Sequence, residues 1–374
     1  MILELTQKQQ TWQEEIRAFV NNEIVPIANQ YDKEEVTPPE LIMKMADHGY
    51  LGALLPQEYG GRGLDYVSLG ILNEEVGRGC SSVRSLLTVH GMASLSILRW
   101  GNQEQKDRWL PKFATGELLG AFGLTEPNIG TDAKNIETTA VLSGDHYILN
   151  GKKKWITYGQ IADLYLVFAQ CEGRPTAFLV ERNSPGFTTH PIKGVMGTRA
   201  SMLAELHMDE CRIPKENMLS RVGFGLTYVA TNCLDYGRFT IASGCVGIGQ
   251  ACIDACLEYT ASRIQFGLPI ANHQLIKKMI AEMITNVKAA RLLCHQASFL
   301  KDIAHPNSMK ETWIAKYFAS TMLAKITTDA IQIHGAYGCS EENSLQRYYR
   351  DSRVMEIIEG TTQMHEIIIA DSMY

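Results

Sequence analysis

The feature that most narrows what this chain can fold into is a change of hydrophobic period, from helical to strand-like and back, without alternation of the two. Residues 1 to about 117 repeat at spacings of three and four, as in Trp12, Ile16, Phe19 and Val20, and again through Leu41, Met45 and Leu51. The stretch 56–65 breaks this run with Pro56 and three glycines, and helices are expected over 66–78 and 82–100. From about 118 to 222 the period shortens. Residues 138–149 read as two strands around Ser143-Gly144-Asp145, and 164–169 and 177–180 are further strands rich in β-branched and aromatic residues. Asn150-Gly151 is expected to form a hairpin turn. Long helical segments return from about 223 to the end. Gly244, Gly247 and Gly249 have the wrong order for a dinucleotide-binding loop and follow no strand, so close helix packing is the expected use. The expected fold class is α+β, with domains at 1–117, 118–222 and 223–374 and no βαβ unit.

Composition removes several functions. A net charge of -6 leaves no global basic field for nucleic acid. No run approaches the 18 or so consecutive apolar residues of a membrane span, and the polar, acidic start of the chain is unlike a targeting peptide. A cytoplasmic protein with no membrane partner is therefore expected. The nine cysteines form no C-x-x-C pair, and Cys252 and Cys256 sit among small apolar neighbours as core thiols would. The ten histidines show no ligand spacing, so no metal is expected.

Four segments carry chemistry, each with a bland reading beside it. Residues 121–132, AFGLTEPNIGTD, run from a strand into a glycine turn that offers backbone N–H groups and hydroxyls to an anionic or carbonyl-rich ligand; a plain edge turn would look similar. Trp155-Ile156-Thr157 pairs an indole with a hydroxyl, fit to cover a flat ring, or simply to fill a core. Arg263, at the end of a long helix, could clamp a pyrophosphate, although helix-end arginines usually face water. Glu359 follows two isoleucines and precedes a glycine. Apolar surroundings would raise its pKa towards that of a general base, whereas such a glutamate is commonly a surface cap.

As a set, in this order and spacing, these segments resemble the acyl-CoA dehydrogenase family. The resemblance runs from PQEYGG (56–61) to Met364 and includes FGLTEPNIGTDA, NGKKKWIT, SRIQFGLPIANHQ, QIHGAYG and RDSRVMEIIEGTTQ. It implies a helical N-terminal domain, a central β domain and a C-terminal four-helix bundle. It also implies FAD bound across the subunit interface of a homo-oligomer, a dimer or tetramer. Carried over, the flavin ring and ribityl chain would be held by Phe122, Leu124, Thr125, Gly130 and Thr131 with Trp155, Ile156 and Thr157. Arg263, Phe266 and Gln274 would take the pyrophosphate and adenine side. Gln332 and Gly335 would reach the neighbouring subunit's FAD, and Thr361 and Gln363 would complete the site. Glu359 falls on the commonest position of the base that removes the substrate α-proton. The alternative base position, on a helix before an arginine, is here Gly237-Arg238 and cannot supply one.

Thr131, Arg84, Arg238 and Gly360 are the substrate-side candidates. Arg84 matches the arginine that glutaryl-CoA dehydrogenases keep for a distal carboxylate; a surface arginine is the competing reading. The wording GTRASMLAEL, LDYGR and QIHGAYGC looks closer to the acyl-carrier-protein dehydrogenases of hydroxymalonyl- and methoxymalonyl-type extender-unit synthesis. The resemblance thus implies a small polar acyl thioester on a carrier protein or on CoA, with electron-transfer flavoprotein or oxygen as acceptor. A short-chain or glutaryl-type acyl-CoA dehydrogenase is the alternative, and an inactive flavin-binding scaffold is the non-enzymatic one.

Overall fold

The computed structural model describes residues 4–374. Six helices come first: α1 (Gln7–Phe19), α2 (Ala28–Glu34), α3 (Pro39–Asp47), α4 (Tyr66–Gly79), α5 (Ser81–Trp100) and α6 (Gln103–Thr115). Their starts follow local chemistry. Thr6 with Gln9, and Asn102 with Gln105, form reciprocal capping boxes on α1 and α6, and the Asp65 carboxylate accepts the Ser68 N–H to open α4.

The middle of the chain forms one sheet. Its strands are β1 (Gly120–Gly123), β2 (Thr139–Ser143), β3 (His146–Ile156), β4 (Leu164–Cys171), β5 (Arg174–Glu181), β6 (Phe187–Pro191), β7 (Ala204–Pro214) and β8 (Met218–Leu219), ordered β6-β7-β3-β2-β4-β5-β8 with β1 parallel to β4. Asn150-Gly151 is not a hairpin. It lies inside β3, at a register shift against β7, where a side chain at 151 would run into Thr138. The dipeptide marks a bulge and a close backbone approach rather than a turn. The hairpin between β2 and β3 turns instead at Gly144, as expected.

The C-terminal part holds α7 (Thr231–Ser262), the small hairpin β9 (Ile264–Gln265) and β10 (Leu268–Pro269), α8 (Gln274–Asp302), α9 (Ser308–His334), α10 (Ser344–Met355) and α11 (Thr362–Asp371). α7 is the hub, packed on α4, α5, α8 and α9. It is apolar and long enough to cross a bilayer by length and composition, yet it is mostly buried inside the protein. Its glycines serve packing, as expected: a Cβ on Gly247 would collide with the Glu74 carbonyl of α4, and Gly244 faces both Gly77 and the Arg84 side chain. One apolar core joins the N-terminal helices to the C-terminal bundle, and a second lies within the sheet. The fold is α+β: helices, a β domain and a helical bundle in chain order.

Candidate active site

Glu359 sits in the short turn between α10 and α11. α10 ends at Met355, and Thr361 caps α11 by accepting the Met364 N–H at 3.3 Å. Between them Glu359 and Gly360 are both left-handed, at φ 57° and 95°. Glycine takes that conformation freely; glutamate does so at a cost, and such strain concentrates at functional sites. The backbone is held there from two helices. Arg238 Nε of α7 donates to the Glu359 carbonyl at 3.0 Å, and Lys316 Nζ of α9 donates to the Gly360 carbonyl at 2.8 Å.

The Glu359 side chain points inward over Gly237. A Cβ at 237 would lie 2.6 Å from Glu359 Cδ and 2.6 Å from Met92 Cε, so the glycine of α7 makes the room that the carboxyl occupies. Glu359 Oε2 is enclosed and has no hydrogen-bond partner among the described residues. Burial pushes its pKa from 4.5 up to about 7, against the pull of the Arg238, Lys316 and Arg84 charges. A carboxyl poised near neutrality, with an unused oxygen, is the equipment of a general base.

Arg84 is not on the surface. It lies fully buried on α5, at 0% exposure. Its Nη1 donates to Thr88 Oγ1 at 2.7 Å, while Nε and Nη2 have no partner among the described residues. The contacts continue through Thr88 Oγ1 to Thr240 Oγ1 (2.8 Å), and Thr240 donates to the Gly237 carbonyl (2.8 Å), beneath the Glu359 carboxyl. The Thr240 proton is thus spent on that carbonyl, so Thr88 donates to Thr240 and accepts from Arg84. A buried guanidinium with two idle nitrogens is costly unless an anion or several oxygens meet it, and burial lowers the Arg84 pKa accordingly.

The sheet-borne candidates lie near one another in sequence-distant segments. β3 bulges between Lys153 and Ile156, where Trp155 is left-handed at φ 63°, and this turns the indole outward to 51% exposure. Lys154 N donates to the Thr125 carbonyl at 2.9 Å, tying β3 to the loop after β1. Beside them Lys153 and Glu126 form a buried ion pair at 2.6 Å. Lys153 also donates to the Leu124 carbonyl, and Glu126 accepts from Thr138. Burial opposes ionisation of Glu126, but the lysine and these donors hold its carboxyl below the usual range. Phe122 packs edge-on against Phe168, and Leu124 and Ile156 are buried, so those two can offer a ligand only their backbone. Gly130, Thr131 and Thr125 keep accessible surface, and nothing stands within 4 Å of where a Gly130 Cβ would be.

Arg263, Phe266 and Gln274 are exposed on and around the β9–β10 hairpin, whose tip is Phe266-Gly267, both left-handed. Phe266 is 95% exposed, with Ile264, Leu268 and Leu275 exposed nearby. Gln332 and Gly335 are exposed at the end of α9, and Gln363 is exposed on α11. Sequence reasoning missed Lys316, Thr88, Thr240 and the Lys153–Glu126 pair. A lysine within the apolar run of α9 and a glycine preceding Arg238 were the available signals.

Comparison with known proteins decides the family. The chain matches the acyl-CoA dehydrogenase N-terminal domain over residues 6–117, the middle domain over 121–211 and the C-terminal domain over 223–374. It belongs to the acyl-CoA dehydrogenase family. It is 40% identical to the mitochondrial short-chain specific acyl-CoA dehydrogenase of Rattus norvegicus (98% of this chain, 90% of that one). It is 38% identical to the glutaryl-CoA dehydrogenase of Desulfococcus multivorans (99% and 97%). Among solved structures, the glutaryl-coenzyme A dehydrogenase glutaryl-CoA complex matches with TM-score 0.96 at 38% identity, covering 100% of this chain and 96% of that one. Two others are described with carrier-protein or extender-unit chemistry. The prolyl acyl carrier protein oxidase AnaB matches at TM-score 0.94 and 28% identity (99% and 100% covered). FkbI, for biosynthesis of the methoxymalonyl extender unit of a polyketide, matches at 0.89 and 31% (96% and 98%).

This member of the family is an FAD-dependent oxidoreductase acting on CH–CH groups. Its residues fit the cofactor: an outward-facing indole, open backbone at Gly130, a half-buried Thr125 and an exposed Thr131, and an exposed arginine–phenylalanine hairpin that suits the flat ring and anionic tail of a dinucleotide.

Proposed function

We propose that this enzyme oxidises a small acyl thioester whose far end carries oxygen, delivered on an acyl carrier protein, with Glu359 as the base. The observation that carries the reading is Arg84, buried at 0% exposure with two unpartnered nitrogens and electrostatically coupled to Glu359. A fatty acyl chain would leave that cation unmet in an apolar slot, whereas a carboxylate, hydroxyl or aldehyde oxygen meets it. The carrier-protein half of the reading is supported by likeness to AnaB and FkbI and by the GTRASMLAEL and LDYGR segments. Glutaryl-CoA is the second reading, favoured by the same arginine.

The thioester carbonyl acidifies the neighbouring α-carbon, and Glu359 accepts that proton on its enclosed carboxyl. In this reading the Glu359 N–H, within the left-handed turn, would donate to the thioester oxygen as negative charge develops there. FAD, held by the Thr125–Thr131 loop, Trp155 and Thr157 on one side and Arg263, Phe266 and Gln274 on the other, would supply the hydride acceptor. Substrate entry displaces water and strengthens Glu359 as a base by the desolvation that already raises its pKa. In this reading Gln332 and Gly335 serve the FAD of a second copy, and the exposed Ile264, Phe266, Leu268 and Leu275 are covered in a homo-oligomer. Electron-transfer flavoprotein or oxygen would reoxidise the enzyme.

Anaerobic bleaching of the flavin by butyryl-CoA, glutaryl-CoA and glyceryl-type groups on CoA and on carrier protein tests this. Bleaching by carrier-bound polar groups, lost in Glu359→Gln, is the expected result. Bleaching by butyryl-CoA alone refutes the substrate class, and bleaching that survives Glu359→Gln refutes the base.

A further inference from the structure

Lys316 is the least accounted-for charge in the site. It lies in the middle of α9, fully buried, and among the described residues it forms no ion pair. Its ammonium makes one hydrogen bond, to the Gly360 carbonyl at 2.8 Å. A buried ammonium without a carboxylate partner is unfavourable unless its charge or its donors are needed where they are. Two observations say what they are needed for. The Gly360 carbonyl belongs to the second residue of the left-handed pair that carries Glu359, and the first carbonyl of that pair is held by Arg238 from a different helix. Two cations, from α7 and α9, therefore grip two consecutive carbonyls and leave the carboxyl between them unbonded.

The groups around this carboxyl and its lysine come from every packed element: Arg84 of α5, Arg238 with the thiols Cys233 and Cys245 of α7 (both kept neutral by burial), Lys316 of α9, Glu356 at the end of α10 and His365 of α11. Three are cations. His365 is held neutral by burial, with Nδ1 on the Thr361 carbonyl. Glu356 lies on the lysine's side, where it supports the ammonium. Of the three cations, Arg84 spends one nitrogen on Thr88, and Arg238 spends its Nε on the Glu359 carbonyl. Lys316 stands on α9, so its charge can be deleted without altering Arg84, to which the proposed function assigns the acyl end, or α7, whose Gly237 makes room for the carboxyl.

We propose that Lys316 is a positioning residue for the reaction: it pins the left-handed Glu359–Gly360 turn to the helical bundle, and its charge keeps the Glu359 carboxyl available in the anionic form. The inference rests on the reading of Glu359 as the base. Desolvation alone would drive a buried carboxyl far above neutrality, where it would carry a proton and could accept none. The ammonium holds it within working range without forming the direct ion pair that would quench its basicity. Burial lowers the lysine's own pKa to about 8, so it is mostly charged at the midpoint of the Glu359 ionisation, near 7.

The test uses FAD-loaded enzyme and two readouts: the pH midpoint of anaerobic flavin bleaching, and the titration of the protonated-carboxyl infrared band that Glu359→Gln removes. In Lys316→Met both midpoints are expected to move up by about one pH unit, and in Lys316→Arg to return most of the way. Lys316→Gln, which keeps a donor for Gly360 without the charge, is expected to shift like the methionine variant and serves where that variant does not accumulate. A lysine that merely packs would lower the melting temperature and flavin content and leave both midpoints in place; that result overturns the proposal. So does an equal shift in Lys316→Arg. If Glu359→Gln still bleaches, the base reading fails, and the infrared band alone then decides whether Lys316 controls this carboxyl.

Discussion

Replacing Arg84 by methionine separates a substrate role from a structural one, because the two roles predict opposite changes. In the folded protein the guanidinium makes one bond, to Thr88 at 2.7 Å, and leaves two nitrogens unmet. Removing a charge-assisted bond costs roughly 1.5–3 kcal/mol. Removing a fully buried cation returns a desolvation penalty of several kcal/mol on the order estimated for buried ions. Methionine is unbranched and fills the slot beside Gly244, and Thr88 keeps its bond to Thr240. The net effect on stability is therefore near zero or favourable, and the melting temperature should hold within about 2 °C or rise. On the substrate side, an oxygen-bearing acyl end loses its partner in a desolvated site, worth about 3 kcal/mol, or about a hundredfold in bleaching rate per unit substrate. A butyryl group should lose nothing and can gain. The assay is stopped-flow flavin bleaching with paired polar and apolar thioesters, alongside thermal unfolding of the holoenzyme. A marked fall in melting temperature with unchanged discrimination would show that Arg84 is a structural group and would remove the main support for a polar acyl substrate.

Gly237→Ala should be harmless to α7 by propensity, since alanine is favoured over glycine in a helix by about 1 kcal/mol. Its methyl group would nonetheless meet the Glu359 carboxyl and Met92, so bleaching should fall about a hundredfold with FAD still bound; a wild-type rate would mean the carboxyl works elsewhere. Glu359→Gln should stabilise the fold in a pH-dependent way. Because the folded pKa is raised from 4.5 to about 7, ionisation destabilises the wild type progressively as pH climbs between those values. The variant's advantage should be absent near pH 4 and grow to roughly 3 kcal/mol at pH 8; equal melting differences at pH 5 and pH 8 would contradict the raised pKa.

The helix–sheet–helix plan was legible because period and turn chemistry are local, and the elements at 66–78, 82–100, 164–169 and 177–180 appear close to where the pattern puts them. Asn150-Gly151 misled for a physical reason. The dipeptide suits a turn, but here the pairing of β3 with β7 continues through it, and the small residue is consumed by contact with Thr138. Glu359 was singled out by the resemblance, since its apolar and glycine neighbours alone fit a surface cap as well, and the two cations that grip its turn come from residues 43 and more positions away in sequence. Lys316 is marked only by its place in the apolar run of α9, and Thr240 carries no local mark, since a threonine in a helix is usually a solvated or core residue. Arg84 had two readings of nearly equal weight, and only the packing of α5 against α7 removes the surface one.

The charges around Glu359 form a balance rather than a set of salt bridges. Three cations, two fully buried and Arg238 half-buried, converge on one carboxyl, and none of them bonds to its oxygens: Arg238 and Lys316 take backbone carbonyls, and Arg84 takes a threonine. Had any one paired with the carboxylate directly, the anion would be strongly favoured and too weak a base to take a proton from carbon. Had all been absent, burial would leave the acid protonated and idle. Distance through the backbone gives the intermediate state, in which desolvation prevails by a margin and the pKa rests near 7. The same arrangement explains why the carboxyl must enter over a glycine. Any larger residue at 237 would push it out of the enclosed position, towards water or towards the guanidinium of Arg238, and in either direction its pKa would fall back to that of an ordinary glutamate.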